Sequence, residues 1–159
     1  MTHERRSHRG ATLLTLGALF TQILLSSLST PLAAQSPDPL MVVVSPRNTI
    51  GESLNKGSMK KVLMGDTTTW PDGSQIPVIM GPPGDIDRAA VLKALCNMNE
   101  SLFTRRQLQA SFTGGVPVVV REVQSAAEVK AALRSNPMGI AFLHKKDIDA
   151  TVKVVFVVE

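Results

Sequence analysis

Ile76-Pro77-Val78-Ile79-Met80 runs into Gly81-Pro82-Pro83-Gly84 and then into Asp85-Ile86-Asp87-Arg88-Ala89-Ala90-Val91-Leu92-Lys93-Ala94-Leu95-Cys96. The first part is a short apolar run, bounded by a loop with two prolines between two glycines. The last part puts Leu92, Leu95 and Cys96 on one helical stripe, with Asp85 placed as its N-cap. Strand, loop and helix thus follow one another directly.

The same alternation extends both ways. Upstream, Met41-Val42-Val43-Val44 is a continuous apolar run, as expected of a strand covered on both faces. Ser45-Pro46-Arg47-Asn48 stops it. Leu54, Met59, Val62 and Leu63 then recur at near-helical spacing up to Gly65, a left-handed cap. Gly57 weakens the first turn of that helix by about 1 kcal/mol relative to Ala. Trp70-Pro71-Asp72-Gly73 reads as a turn. Downstream, a helix from Asn99 carries Leu102, Phe103 and Leu108, and Pro117 to Val120 reads as a third strand. Ser125-Ala126-Ala127-Glu128 is a capping box, and its helix ends at Asn136-Pro137. Gly139 to Leu143 and Val152 to Val158 complete five strands. Such alternation predicts an α/β domain with a partly parallel sheet and helices on its faces.

The first 34 residues stand apart. Arg5, Arg6 and Arg9 precede the apolar stretch Ala11 to Leu28, and Pro31-Leu32-Ala33-Ala34 ends in small residues. That order is a secretory signal with cleavage expected near Ala34–Gln35. The alternative, an uncleaved anchor, is opposed by Thr15, Gly17, Thr21 and Gln22 within the apolar run. Gln35 stands where a lipoprotein needs cysteine, so no lipid anchor is expected. The predicted organisation is a signal peptide at 1–34, an extended tether at 35–40 and one domain at 41–159. Localisation outside the cytoplasm, in the periplasm or secreted, follows. No stable membrane insertion is expected once the signal is removed.

Without Arg5, Arg6, Arg9 and Glu4 the mature chain keeps 14 basic and 12 acidic residues. That balance gives no nucleic-acid patch, and with no tyrosine and one tryptophan the chain lacks a base-stacking surface. A chain of this size buries roughly two thirds of its unfolded surface, so it needs no disulfide. The lone Cys96 is expected as a buried thiol.

Several features together resemble a known family. Leu63-Met64-Gly65, Trp70-Pro71-Asp72-Gly73, a strand, a Gly/Pro loop and a helix with Arg88 come in that order. Phe112-Thr113-Gly114, a Ser-capped helix and Asn136-Pro137-Met138-Gly139-Ile140-Ala141-Phe142 follow. The arrangement, from about Met41 to Phe142, resembles the periplasmic phosphate-binding proteins of phosphate ABC transporters, above all their single-lobe relatives. The resemblance implies one lobe of a type II periplasmic binding protein: a mixed, mostly parallel sheet with helices on both faces. It also implies solute capture with a small oxyanion such as phosphate as ligand. In the two-lobed binders an arginine precedes Ser-Gly-Thr at a helix start. Here Gly81 replaces the arginine, and the hydroxyl positions fall on Asp85 and Asp87, whose charges would repel an anion.

Catalytic constellations are absent from the pattern. His144 sits beside Lys145 and Lys146 and is expected on the surface or in a loop, without a metal. Asp147 and Asp149 are expected to cap a turn, and no glycine loop matches a nucleotide fingerprint. Neither an enzyme nor a cofactor is expected. The expected ligand lining, at the carboxyl ends of the strands, is Ser45 and Arg47 with Gly84, Asp85, Asp87 and Arg88. An interaction module for an envelope protein, or for a second copy of the chain, is the alternative.

Overall fold

Valine-rich runs with alternating faces form the centre of the molecule. The computed structural model describes residues 38–158; the expected signal peptide, and the first part of the tether, lie outside the described residues. The strands are β1 (Leu40–Val44), β2 (Val78–Met80), β3 (Val120–Glu122), β4 (Ile140–His144) and β5 (Lys153–Val157). They form one sheet in the order β3-β2-β4-β1-β5. β2 pairs in parallel with both β3 and β4, whereas β1 pairs antiparallel with β4 and with β5. Four strands therefore share one direction and β1 alone runs against them. The register Leu40↔His144 through Val44↔Ile140 sets the end of β1 beside the start of β4.

Successive strand residues point to opposite faces, and each face has its own core. Val42 and Val44 join Val78, Ile140 and Phe142 on one face, under Met59, Val62 and Leu63 of α1 (Lys56–Met64) and Val91 and Leu95 of α2 (Ile86–Cys96). Val43, Ile79, Ala141 and Leu143 pack on the other against Val129, Ala132 and Leu133 of α4 (Ala126–Ser135). Helices thus cover both faces. A further helix, α3 (Glu100–Phe112), buries only Phe103, leaving the expected stripe residues Leu102 and Leu108 exposed.

The caps explain where helices begin and end. Asn55 and Ser58 cap each other reciprocally at the start of α1, which offsets the weakness at Gly57. Gly65 closes that helix at φ 78°, a conformation that favours glycine. Ser125 accepts from the Glu128 amide, but the Glu128 carboxylate returns to the Gln124 amide, one residue earlier than in a standard capping box. Trp70 is a core anchor whose Nε1 donates to the Met138 carbonyl at 2.9 Å.

The third strand departs from expectation. Pro117 to Val120 was expected, and β3 begins only at Val120. Pro117 has no amide hydrogen to give, and the Val118 amide donates to Gln107 Oε1 rather than to a strand. Ladder pairing begins with the Val119 carbonyl, which accepts from Val78.

Candidate ligand-binding site

Where β2 ends, the Gly81–Gly84 loop turns the chain into α2, and Asp85 caps the helix by accepting from the Arg88 amide at 2.8 Å. A Cβ built on Gly81 would lie 2.5 Å from the Asp85 Cγ. The aspartate therefore occupies the space that a side chain at position 81 would need, and such a side chain would have to displace it.

Arg88, only 5% exposed, is fully engaged. Its Nε and Nη2 donate to Glu100 of α3 at 2.8 and 2.6 Å, and its Nη1 donates to the Gly81 carbonyl at 3.0 Å. Glu122 of β3 lies 3.6 Å from Nη1, and the guanidinium sits 5.6 Å from the centre of the Phe103 ring. This bidentate pair ties α2, α3 and β3 together and leaves no donor fork free for a ligand.

Asp87 is committed as well. Its carboxylate lies 3.0 Å from His144 Nε2 at the end of β4, while Nδ1 of the same ring lies 2.8 Å from the Asp38 carbonyl. Burial works against a charged ring here, but the Asp38 carbonyl and the Asp87 carboxylate outweigh it and hold the His144 pKa above its ordinary value. His144 was expected in a surface or loop role; it instead joins three chain segments.

Between the starts of α2 and α4 lies a cavity of about 160 Å³, floored by Met80, Val91, Val129 and Phe142. Asp85, Asp87 and Asp147 stand at its wall with Arg88 and His144. Since Arg88 is neutralised by Glu100, the balance at this mouth is negative, unfavourable to a phosphate.

Ser45 and Arg47 are elsewhere. Because β1 runs against β2 and β4, its carboxyl end lies at the opposite end of the sheet from Gly84, Asp85, Asp87 and Arg88. The six expected residues do not form one site. The expectation gathered the carboxyl ends of the strands at one side of the sheet, but β1 runs the other way, and nothing in its apolar run reports direction. Ser45 is buried, and its carbonyl accepts from Asn48 in a tight turn. Ser45, Pro46 and Arg47 line a separate cavity of about 290 Å³ with Arg134 and Thr151. No carboxylate lines it, and neither arginine side chain makes an ion pair or hydrogen bond with a described residue. Among the described residues no cluster of three histidine, cysteine or acidic side chains is arranged to hold a metal.

No family model and no curated protein sequence matches the chain. Solved structures do. An ABC-type phosphate transport receptor from Vibrio cholerae superposes with a TM-score of 0.57 at 17% identity, over 74% of this chain and 45% of that one. A phosphate ABC transporter substrate-binding protein from Clostridium perfringens, solved with bound phosphate, gives 0.59 at 16% identity, over 74% and 44%. PstS from Borrelia burgdorferi gives 0.55 at 17% identity, over 75% and 47%. The fold is that of one periplasmic-binding-protein lobe. This lobe spans less than half the length of each of those proteins.

Within the lobe, several residues carry no local sequence signal for the parts they play. Glu100 lies twelve positions from Arg88, beyond any helical spacing rule. Arg134 and Thr151 reach the Ser45 cavity only through the reversed β1. Asp149 was expected at a turn and is found there, accepting from the Thr151 amide and hydroxyl. Lys130 donates to it as well, and these bonds, that from Lys130 foremost, hold its carboxyl well below the usual carboxylate range. Cys96 is buried, and burial pushes its thiol up.

Proposed function

We propose that the chain works outside the cytoplasm as a solute-binding lobe whose ligand is a small oxyanion held where β1 ends. The observation that carries this reading is the cavity lined by Ser45, Arg47 and Arg134, with no carboxylate in its wall. Guanidinium groups match the geometry of phosphate and sulfate oxygens. The Ser45 oxygen accepts from the Arg47 amide at 3.3 Å, which leaves its proton for a ligand. Thr151 gives its proton to Asp149, so it shapes the wall and donates nothing. The Asp149 charge is itself offset by Lys130 at 2.7 Å. Arg134 sits in the last turn of α4, where it outweighs the partial negative charge of the helix end.

The likeness to phosphate-binding proteins supports the ligand class, and the acidic mouth at α2 argues against the same ligand there. The charged, then apolar, then small-residue order of residues 1–34 supports export. Both arginines are exposed, so affinity is expected near the millimolar range or somewhat tighter, about 4–6 kcal/mol, and it should weaken as salt rises.

Titration of the full chain with inorganic phosphate and with sulfate at low salt, followed by amide NMR, tests the reading. Shifts are expected at Ser45 to Asn48 and around Arg134, and an Arg47→Gln, Arg134→Gln pair should weaken binding by about ten-fold or more. Shifts confined to Gly84–Arg88 and Ser125–Glu128, or no binding at 10-fold above about millimolar anion, would overturn it.

A protein-docking role is the second reading. It is favoured by α3, whose Leu108 and Phe112 stand 55% and 87% exposed.

A further inference from the structure

We infer that His144 is a proton-operated pin that fastens the chain's entry segment to the first turn of α2. Three elements meet at one imidazole. The ring belongs to the last residue of β4, Nδ1 faces the Asp38 carbonyl at 2.8 Å, and Nε2 faces the Asp87 carboxylate at 3.0 Å. Both partners are acceptors only. A neutral imidazole has a single N–H, so it satisfies one of the two and turns a lone pair on the other. Only the doubly protonated ring donates to both.

The surrounding charges favour that form. From the entry segment, the Asp38 carboxylate lies 4.0 Å from Nδ1. From α2 come Asp87 in direct contact and Asp85 and Arg88 on the shared cavity wall, with Arg88 already neutralised by Glu100. From the turn after β4 come Asp147, on the same wall, and Lys145 and Lys146, the two residues that follow the ring. Asp87 and Asp38 bring carboxylates within 3.0 and 4.0 Å of the ring nitrogens.

The pin closes a small lattice at the entry point. The Lys145 amide donates to the Pro39 carbonyl at 3.0 Å and the Lys146 amide to Asp38 Oδ2 at 3.2 Å. From Leu40 onward the chain is held by the sheet in any case, its carbonyl accepting from Val158. Residues 38 and 39 therefore depend on the pin far more than the sheet does. Loss of one proton breaks one of the ring's two contacts, loosens the segment and removes one positive charge from the wall of the α2–α4 cavity. The sign follows from the raised pKa. Pinning is complete below about pH 6.5, the ordinary histidine value, and is lost as pH rises through the higher folded value.

Ring NMR of His144 and amide hydrogen exchange in the full chain, measured across that pH range, test this. After correction for intrinsic exchange, the Lys145 and Lys146 amides should lose protection on the order of ten-fold, as expected for one charge-assisted bond. The loss should follow the His144 titration. Asp87→Asn should lower both midpoints together, and His144→Gln should make the exchange profile flat. A ring that titrates at or below its ordinary value, or amide protection that ignores the ring's titration in the native chain, would overturn the inference.

Discussion

Gly81 shows how one missing Cβ decides the chemistry of a loop. In the family that the chain resembles, an arginine stands at this place, just before the helix start. Here the neighbouring Asp85 fills the space and caps α2, so any side chain at position 81 would have to displace it. A Gly81→Ala substitution should therefore displace the Asp85 carboxylate and cost about 1–3 kcal/mol of stability in urea unfolding, through overpacking and a lost cap. The two residues should be coupled, since an Asp85→Gly change removes the whole obstacle, its Cβ included. If the two losses simply add in a double-mutant cycle, the steric account fails. The exchange of arginine for glycine was legible in the sequence, and so was the capping aspartate. The fate of Arg88 was not, because its partner Glu100 lies on another helix and no spacing rule links them.

Among the elements, α3 is the one whose sequence misleads. Leu102, Phe103 and Leu108 look like a core stripe, but one turn of helix advances about 3.6 residues, and only Phe103 meets the core. Phe112 follows Phe103 by nine positions, about half a turn out of phase at that pitch, and so points outward. Leu108 and Phe112, four residues apart, share that outer face. A Phe112→Ser chain should then unfold within about 0.5 kcal/mol of the parent, as surface substitutions do. If α3 docks a partner, a photocrosslinker at position 112 in cells should trap one discrete adduct that a crosslinker at exposed Lys145 does not. A large loss of stability in Phe112→Ser would instead place the ring in a core. Helix starts were readable where their caps are local: Asp85, Asn99 and Ser125 each accept from an amide three residues on, whereas the Asn55–Ser58 pair that starts α1 was not picked out. Strand direction is not a local property. Ser45 and Arg47 were accordingly assigned to the wrong end of the sheet, although both residues were correctly picked out as lying just beyond β1.

At the scale of the whole molecule, two apolar layers share one sheet and should unfold as one. Met59→Ala on the α1 face and Leu133→Ala on the α4 face remove fully buried side chains, each at a cost of about 2–5 kcal/mol. Both should lower a single thermal midpoint, by several degrees at this size. Trp70 fluorescence, which reports the α1 face, should register the Leu133→Ala loss in full. Two separable transitions would mean that the layers are independent. The reversed strand β1 has a consequence in time. It is synthesised before every other described strand, yet its two neighbours are the last, β4 and β5, about a hundred residues later along the chain. Contacts so distant in sequence form late. β1 must therefore stay unpaired, its edges open, until both of those strands have left the ribosome.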